Sequence, residues 1–192
     1  MPPKAKFTKE QVISAALDVV ESEGADALTA RKLGEKLGSS ARPVFTVFNG
    51  MDEVQAGVIA EANAVYGGFV ERGLKKKIAF KGVGEAYIQF AAQHPKLFQL
   101  LFMKDLGRNS DRDNVLQGIE EHYGQIISSI ESAYALDGQT AANLYMHMWI
   151  YTHGIAVLIA TGVCRFTPVQ VSEMLSQVCI ALIKKIKTEG SL

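Results

Sequence analysis

The sequence predicts an all-α protein of about nine helices, with a small three-helix head at its N-terminus and a larger helical body behind it. Three observations carry that prediction. Apolar residues recur at helical spacing between recognisable cap residues. Only five prolines interrupt 192 residues, and no run alternates apolar and polar side chains as a half-buried strand would. From Gly138 to Cys164 there is no charged residue at all, which suits a helix buried all round.

The first helix starts at Thr8, which forms a capping box with Gln11. Val12, Ile13, Ala16, Leu17 and Val20 share its apolar face, and Gly24 stops it. Thr29 caps a second helix with Ala30, Leu33 and Leu37 inward and Arg31, Lys32, Glu35 and Lys36 outward. Gly34 in its middle costs about 1 kcal/mol against alanine, so close approach of the crossing helix is expected there. A Gly38-Ser39-Ser40 turn leads to a third helix, capped by Ser39 or Ser40 and running to about Phe48. Pro43 falls in its first turn, where a missing N–H does no harm. Val44, Val47 and Phe48 would anchor it, leaving Ala41, Arg42, Phe45 and Thr46 outward. Two short helices around such a turn have the form of a helix-turn-helix reader of double-stranded DNA.

Asp52 caps a fourth helix to about Lys76, about 35 Å long at 1.5 Å per residue. Val54, Val58, Ile59, Ala62, Val65, Phe69 and Val70 are its buried candidates. Lys75-Lys76-Lys77 ends it as a solvated, dipole-compensating cluster. The fifth helix ends at Gln93 and Pro95 starts a short sixth. After a polar loop at 103–111, a seventh runs from about Asp113 to Tyr134, weakened by Gly118 and Gly124. The uncharged eighth helix and a ninth from Pro168 to about Lys187 close the chain.

Leu28-Thr29-x-Arg31-x-Leu33-Gly34-x-x-Leu37-Gly38, followed by Ser40, Val44-Phe45-x-x-Phe48 and Gly50-x-Asp52-Glu53-Val54, resembles the TetR family of transcriptional regulators over about residues 7 to 60. A second stretch, Tyr87-x-x-Phe90-Ala91-x-x-His94-Pro95 with Trp149-x-x-x-His153-Gly154, resembles the body of the subgroup named for a Trp-His-Gly triplet. The resemblance implies residues 1–50 as the DNA-binding domain and 51–192 as the ligand-sensing and dimerisation domain. It implies phosphate contacts at Thr29 and Ser40 and a groove-facing set of Ala41, Arg42, Pro43, Phe45 and Thr46, with Arg31 exposed beside them. Arg42 is the first choice for a base contact, since a bidentate arginine–guanine pair is the commonest specific one. Three positions depart from the family pattern. Phe45 replaces a usual Tyr, Val47 a frequent His, and Met51 a usual Lys.

Charge bounds the partners. Twenty Lys and Arg balance twenty Asp and Glu, and residues 1–50 hold seven basic groups against six acidic ones. Modest affinity per head is therefore expected, or help from the arm Met1–Lys6. Cys164 and Cys179 form no disulfide framework and read as reduced thiols, and the N-terminus lacks the apolar core of a secretory signal, so a cytoplasmic location is expected. The uncharged stretch carries Gln139, Asn143, His147, Thr152 and His153 and lacks anchors at its ends, which argues against a membrane span.

No nucleophile–base grouping, phosphate loop or HExxH pattern is present, so neither catalysis, metal nor cofactor is expected. The large side chains Phe90, Phe98, Phe102, Met103, Tyr123, Tyr145, Met148 and Trp149, with His153, suit a cavity for a small hydrophobic ligand. Acidic residues are scarce there, which favours a neutral or weakly anionic one. A second subunit is expected to cover the eighth and ninth helices through Ala156, Ile159, Ala160, Val171, Leu175, Val178 and Leu182, making a homodimer with two heads for a palindromic operator. The expected function is a ligand-released repressor. The alternative is a small-molecule carrier of the same fold without operator binding.

Overall fold

The computed structural model describes residues 5–104 and 115–190. Most of the Met1–Lys6 arm, most of the 103–111 loop and the Asp113 start of the expected seventh helix lie outside the described residues. Among the described residues there are nine α-helices, two short 3-10 segments and no strand. The helices are α1 (Lys9–Glu23), α2 (Ala30–Lys36), α3 (Met51–Leu74), α4 (Ala79–Gln93), α5 (Pro95–Phe102), α6 (Val115–Ile119), α7 (Tyr123–Tyr134), α8 (Gly138–Ala160) and α9 (Pro168–Glu189). The 3-10 segments are Ala25–Ala27 and Arg42–Thr46. No described helix is long and apolar enough to cross a membrane.

The chain packs as two compact units. One holds the described residues up to Val65 together with His94–Lys104; the other holds Tyr66–Gln93 and the described residues from Val115 onward. This packing division differs from the boundary expected at residue 50, for two reasons. The first half of α3 buries Val54, Val58 and Ala62 in the first unit. Pro95 turns the chain back at His94, so α5 packs on α1, with the His94 imidazole on the Glu21 carboxylate and Lys104 on Asp26 at 2.5 Å.

Within the first unit, α1 has the expected capping box: Thr8 Oγ1 accepts from the Gln11 N–H, and the Gln11 side chain accepts from the Thr8 N–H. Gly24 ends it at φ +93°, a conformation L side chains rarely adopt. Thr29 caps α2 through the Lys32 N–H. α3 departs from expectation. It begins at Met51, and Glu53 rather than Asp52 closes its start. The Glu53 carboxylate accepts from the Asn49 N–H at 2.9 Å and from Lys9 Nζ at 2.6 Å. Those donors, the Asn49 amide first, hold its carboxyl below the usual glutamate range.

In the second unit α4 is buried almost all round, with Phe80, Val83, Ala86, Tyr87, Ile88, Phe90 and Ala91 all covered, and it packs against α7, α8 and α9. Its start crosses the end of α3 at Gly73 and Gly82, where the two backbones touch. Asp137 caps α8 through Thr140, and a Thr167–Gln170 capping box starts α9. The expected seventh helix is broken at Glu120–His122 into α6 and α7. Gly118 and Gly124 flank the break, and Glu120 turns inward there to 5 % exposure.

Candidate functional site

Two places gather the residues that carry chemistry, one in each unit. In the first unit the Arg42–Thr46 segment is 3-10 rather than the α-helix expected from Ser40. Pro43 has no N–H to donate, and the first bond of the segment is Val44 N–H to Ala41 carbonyl, three residues back, at 3.1 Å. Its cap is therefore Ala41, not Ser39 or Ser40. Val44 and Phe48 are buried and anchor it, with Lys9 Nζ 5.1 Å above the Phe48 ring. Thr29, Arg31, Ser40, Arg42, Phe45 and Thr46 are exposed, and Ala41 and Pro43 half-buried. The Thr46 hydroxyl donates to the Pro43 carbonyl at 2.6 Å, so toward a nucleic acid it offers only acceptor lone pairs.

The segment is held against α2 by a backbone approach at Gly34. A Cβ there would stand 2.7 Å from the Ser40 carbonyl carbon and the Ala41 nitrogen. The close pass expected at Gly34 thus comes from the turn into Arg42–Thr46 rather than from a crossing helix. Many of the head's cations are already engaged within it. Lys9 pairs with Glu53, Lys32 with Glu23 at 2.7 Å and Lys36 with Asp18 at 3.1 Å. Arg31 touches Glu35 only at 3.8 Å, and Arg42 forms no ion pair among the described residues.

The second unit encloses a cavity of about 280 Å³. α8 contributes Tyr145, Met148, Trp149 and Thr152; α4 contributes Phe80, Lys81, Val83, Gly84 and Tyr87; α9 contributes Leu175, Ser176, Cys179, Ile180 and Ile183. Tyr66, Ile78 and Tyr134 complete the lining. Tyr66, Tyr87 and Tyr145 are buried and form its floor, whereas Ile78 and Ile180, each about half exposed, stand with Lys81 at its mouth.

Most hydroxyls of the wall are committed. Trp149 bonds to the Tyr87 oxygen, and that hydroxyl lies 2.9 Å from His153 Nδ1. Burial lowers the His153 pKa and favours the neutral ring, and a neutral ring protonated on Nε2 accepts the Tyr87 proton at Nδ1. Trp149 also stacks on His153, with ring centres 5.0 Å apart. The Trp-His pair therefore acts as a clamp on Tyr87. Behind the floor, Tyr66 donates to Glu120, whose carboxylate also accepts the His122 N–H at 3.0 Å. Thr152 and Ser176 each bond a carbonyl of their own helix. The Tyr145 hydroxyl has no hydrogen-bond partner among the described residues and is the free polar group of the cavity.

The sequence-derived pocket set divides. Tyr145, Met148 and Trp149 line the cavity. His153 and Tyr123 stand behind it, Tyr123 packing on Tyr145 at 5.9 Å, and Phe90 is core against Tyr66 and Phe69. Phe98, Phe102 and Met103 do not belong to it, because the Pro95 turn carries α5 into the first unit. Tyr66, Tyr87 and Tyr134 were missed, although each lies at helical spacing on an apolar face. The expected scarcity of acids also needs correction, since Glu120 sits one hydrogen bond behind the floor. The subunit-interface set divides as well. Ala156, Ala160, Val171 and Leu175 are buried within one chain and cannot face a second, and Leu175 lines the cavity. Ile159, Val178 and Leu182 are half-buried. The apolar side chains left exposed on α8 are Ile150 and Leu158. Among the described residues no group of three His, Cys, Asp or Glu could hold a metal ion.

A family model described as tetracyclin repressor-like, C-terminal domain, matches residues 80–182, the segment that supplies most of the cavity wall. The chain belongs to the TetR family of transcriptional regulators. This TetR-family chain is 24% identical over 162 residues to an uncharacterised HTH-type transcriptional regulator of Mycobacterium tuberculosis, Rv0681, covering 83% of this chain and 73% of that one. It is 22% identical over 167 residues to YobS, an uncharacterised HTH-type transcriptional regulator of Bacillus subtilis, covering 83% of each. A TetR-like transcriptional regulator from Rhodococcus sp. RHA1 shares the fold at 14% identity, with a TM-score of 0.62 over 96% of this chain and 97% of that one.

The tyrosines give the TetR-family body a pH signature. Burial first, then the Glu120 carboxylate, push Tyr66, Tyr87 and Tyr145 well above the ordinary tyrosine value. Burial, then Cys179, raises Tyr134 to about 12. In the unfolded chain these hydroxyls ionise near pH 10. Below that pH their contribution to stability is fully present. Above it the folded state holds more protons, so stability falls as pH rises toward the folded values. In an alkaline titration followed by tyrosine absorbance, these four of the six tyrosines should ionise late, Tyr66, Tyr87 and Tyr145 together with the loss of helical dichroism. Ionisation of all six near pH 10 in a chain that keeps its helices would contradict the burial described.

Proposed function

We propose that this TetR-family regulator is a homodimeric repressor that leaves a palindromic operator when a small, mostly apolar ligand enters the cavity of the second unit. The cavity carries the reading: its wall is almost wholly apolar and aromatic, with one unpartnered hydroxyl, Tyr145, to orient a guest. Reading falls to the Arg42–Thr46 segment, with Arg42 as the base-contacting residue and Thr29 and Ser40 on phosphates. The ligand acts only through a difference in affinity between the DNA-bound and free conformations. His147, Ile150, Gly154 and Leu158 form an exposed, uncharged stripe on α8, and this is where we place the second subunit.

The test is recovery of genomic DNA fragments on the purified protein at moderate salt, followed by ligand screening on the recovered site. One enriched palindrome, released by an apolar compound, supports the repressor. Arg42→Ala should then lose about 1–3 kcal/mol of discrimination at one base position in competition binding, with little change on random DNA. Tighter operator binding on ligand addition would reverse the polarity. The engaged lysines of the head, with Phe45, Val47 and Met51, favour a second reading as a small-molecule carrier. Equal and negligible binding to every duplex supports that one.

A further inference from the structure

Among the side chains that line the cavity, Lys81 is the one charged group, and it stands at the mouth between Ile78 and the buried wall. Among the described residues its counter-ion is Glu85, and Glu85 is already held. Lys76 Nζ lies 2.9 Å from Glu85 Oε2, while Lys81 Nζ lies 3.9 Å from Oε1. Two ammonium groups thus share one carboxylate. Lys75 and Lys77 add exposed positive charge on the same turn, directly before Ile78. Of these lysines Lys81 lines the cavity, whereas Lys76 and Glu85 line a neighbouring groove with Ile88 and Gln89. The far end has the opposite character. There the Glu120 carboxylate backs the floor through Tyr66, and its charge is felt at Tyr66, Tyr87 and Tyr145.

An apolar cavity with one lysine among its lining residues and a carboxylate behind its floor orients its guest. We infer that the cavity binds an aliphatic chain ending in a carboxylate, tail toward the tyrosine floor and head at Lys81. The apolar wall takes the tail by burial. Lys81, with half a counter-ion to itself, makes a charge-assisted hydrogen bond to the head. The floor disfavours the inverted pose, because a carboxylate beside Tyr66 would approach that of Glu120, which the His122 ring faces at 3.4 Å. The inference rests on the ligand-binding reading above and narrows it to one class.

Trp149, the single tryptophan of the chain, lines the cavity and reports occupancy by its fluorescence. The full-length protein is titrated with decanoate, 1-decanol and decylamine, which share a tail and differ in the head. Decanoate should bind about tenfold or more tighter than decanol, with decylamine weakest. In Lys81→Met, shown folded by circular dichroism, decanoate should fall to the level of decanol while decanol is unchanged. Lys76 still covers Glu85 in that variant. The inference is overturned if decanol or decylamine binds as tightly as decanoate, or if the acid preference survives Lys81→Met. It is also overturned if that preference is lost in Tyr145→Phe, which would put the head at the floor. Those outcomes leave a ligand cavity standing. No response to any of the three compounds removes the ligand-binding reading along with the inference.

Discussion

A Gly82→Ala chain should unfold at markedly lower urea than the parent, with a stability loss of about 2–3 kcal/mol. A Cβ at Gly82 would lie 2.2 Å from the Gly73 carbonyl oxygen, and one at Gly73 would lie 2.6 Å from the Gly82 oxygen. Both obstacles are backbone, so no side-chain rotation relieves them. The end of α3 must move away from the start of α4, and α4 is buried on nearly every side. The helix-propensity gain of about 1 kcal/mol for alanine over glycine offsets only part of this. The same crossing places Phe80 and Lys81 in the cavity wall, so the variant should also bind cavity ligands more weakly. An unchanged urea midpoint would mean that the two backbones are not in contact.

Gly34→Ala is expected to act on the other unit. Alanine there meets the Ser40 carbonyl carbon and the Ala41 nitrogen at 2.7 Å, again backbone. The turn into Arg42–Thr46 has to lift off α2, carrying Arg42 and Phe45 with it. Operator affinity should fall by about tenfold or more, because the proposed bidentate base contact of Arg42, worth roughly 1–3 kcal/mol, would be misplaced. Trp149 fluorescence and its response to cavity ligands should be those of the parent, since none of the residues involved belongs to the second unit. Retention of full operator affinity would show that the reading segment does not depend on this approach. The two glycine variants thus separate the units: one impairs the cavity, the other the reader.

The reader was more legible in the sequence than the cavity. Caps at Thr8 and Thr29 are local events, decided within four residues, and both are seen as read. Gly34 stood out because a glycine inside a helix needs a reason. The 3-10 form of Arg42–Thr46 was less accessible, since Pro43 is acceptable at the start of either helix type and the register depends on where Val44 and Phe48 must be buried. The cavity depends on which elements meet. Phe98 and Phe102 have the same apolar signature as Phe80 and Tyr145, and only the turn at Pro95 assigns them to a different unit. Glu120 was read as part of a continuous helix. The break that turns it inward follows from Tyr66, fifty-four residues away, and no local pattern reports that. On α8 and α9, burial by the same chain and burial by a second chain leave identical traces in the sequence. Ala156 and Leu175 therefore looked like interface although they are core.

The ion pairs within the head have a consequence for how a target would be found. Nonspecific attraction to duplex DNA scales with the number of free cations that displace condensed counter-ions. Lys9, Lys32 and Lys36 are each tied to a carboxylate of their own unit, whereas among the described residues of the head Arg31, Arg42 and Lys6, which rests on the Ser39 hydroxyl, are the loosely held positive groups. A head of this kind gains little from arbitrary sequence, so bulk chromosomal DNA is a weak competitor for it. If it reads DNA as proposed, such a protein would search more through solution than by long sliding along the duplex. Its occupancy of a site would then depend on base contacts more than on salt, and fewer molecules would be held on irrelevant DNA.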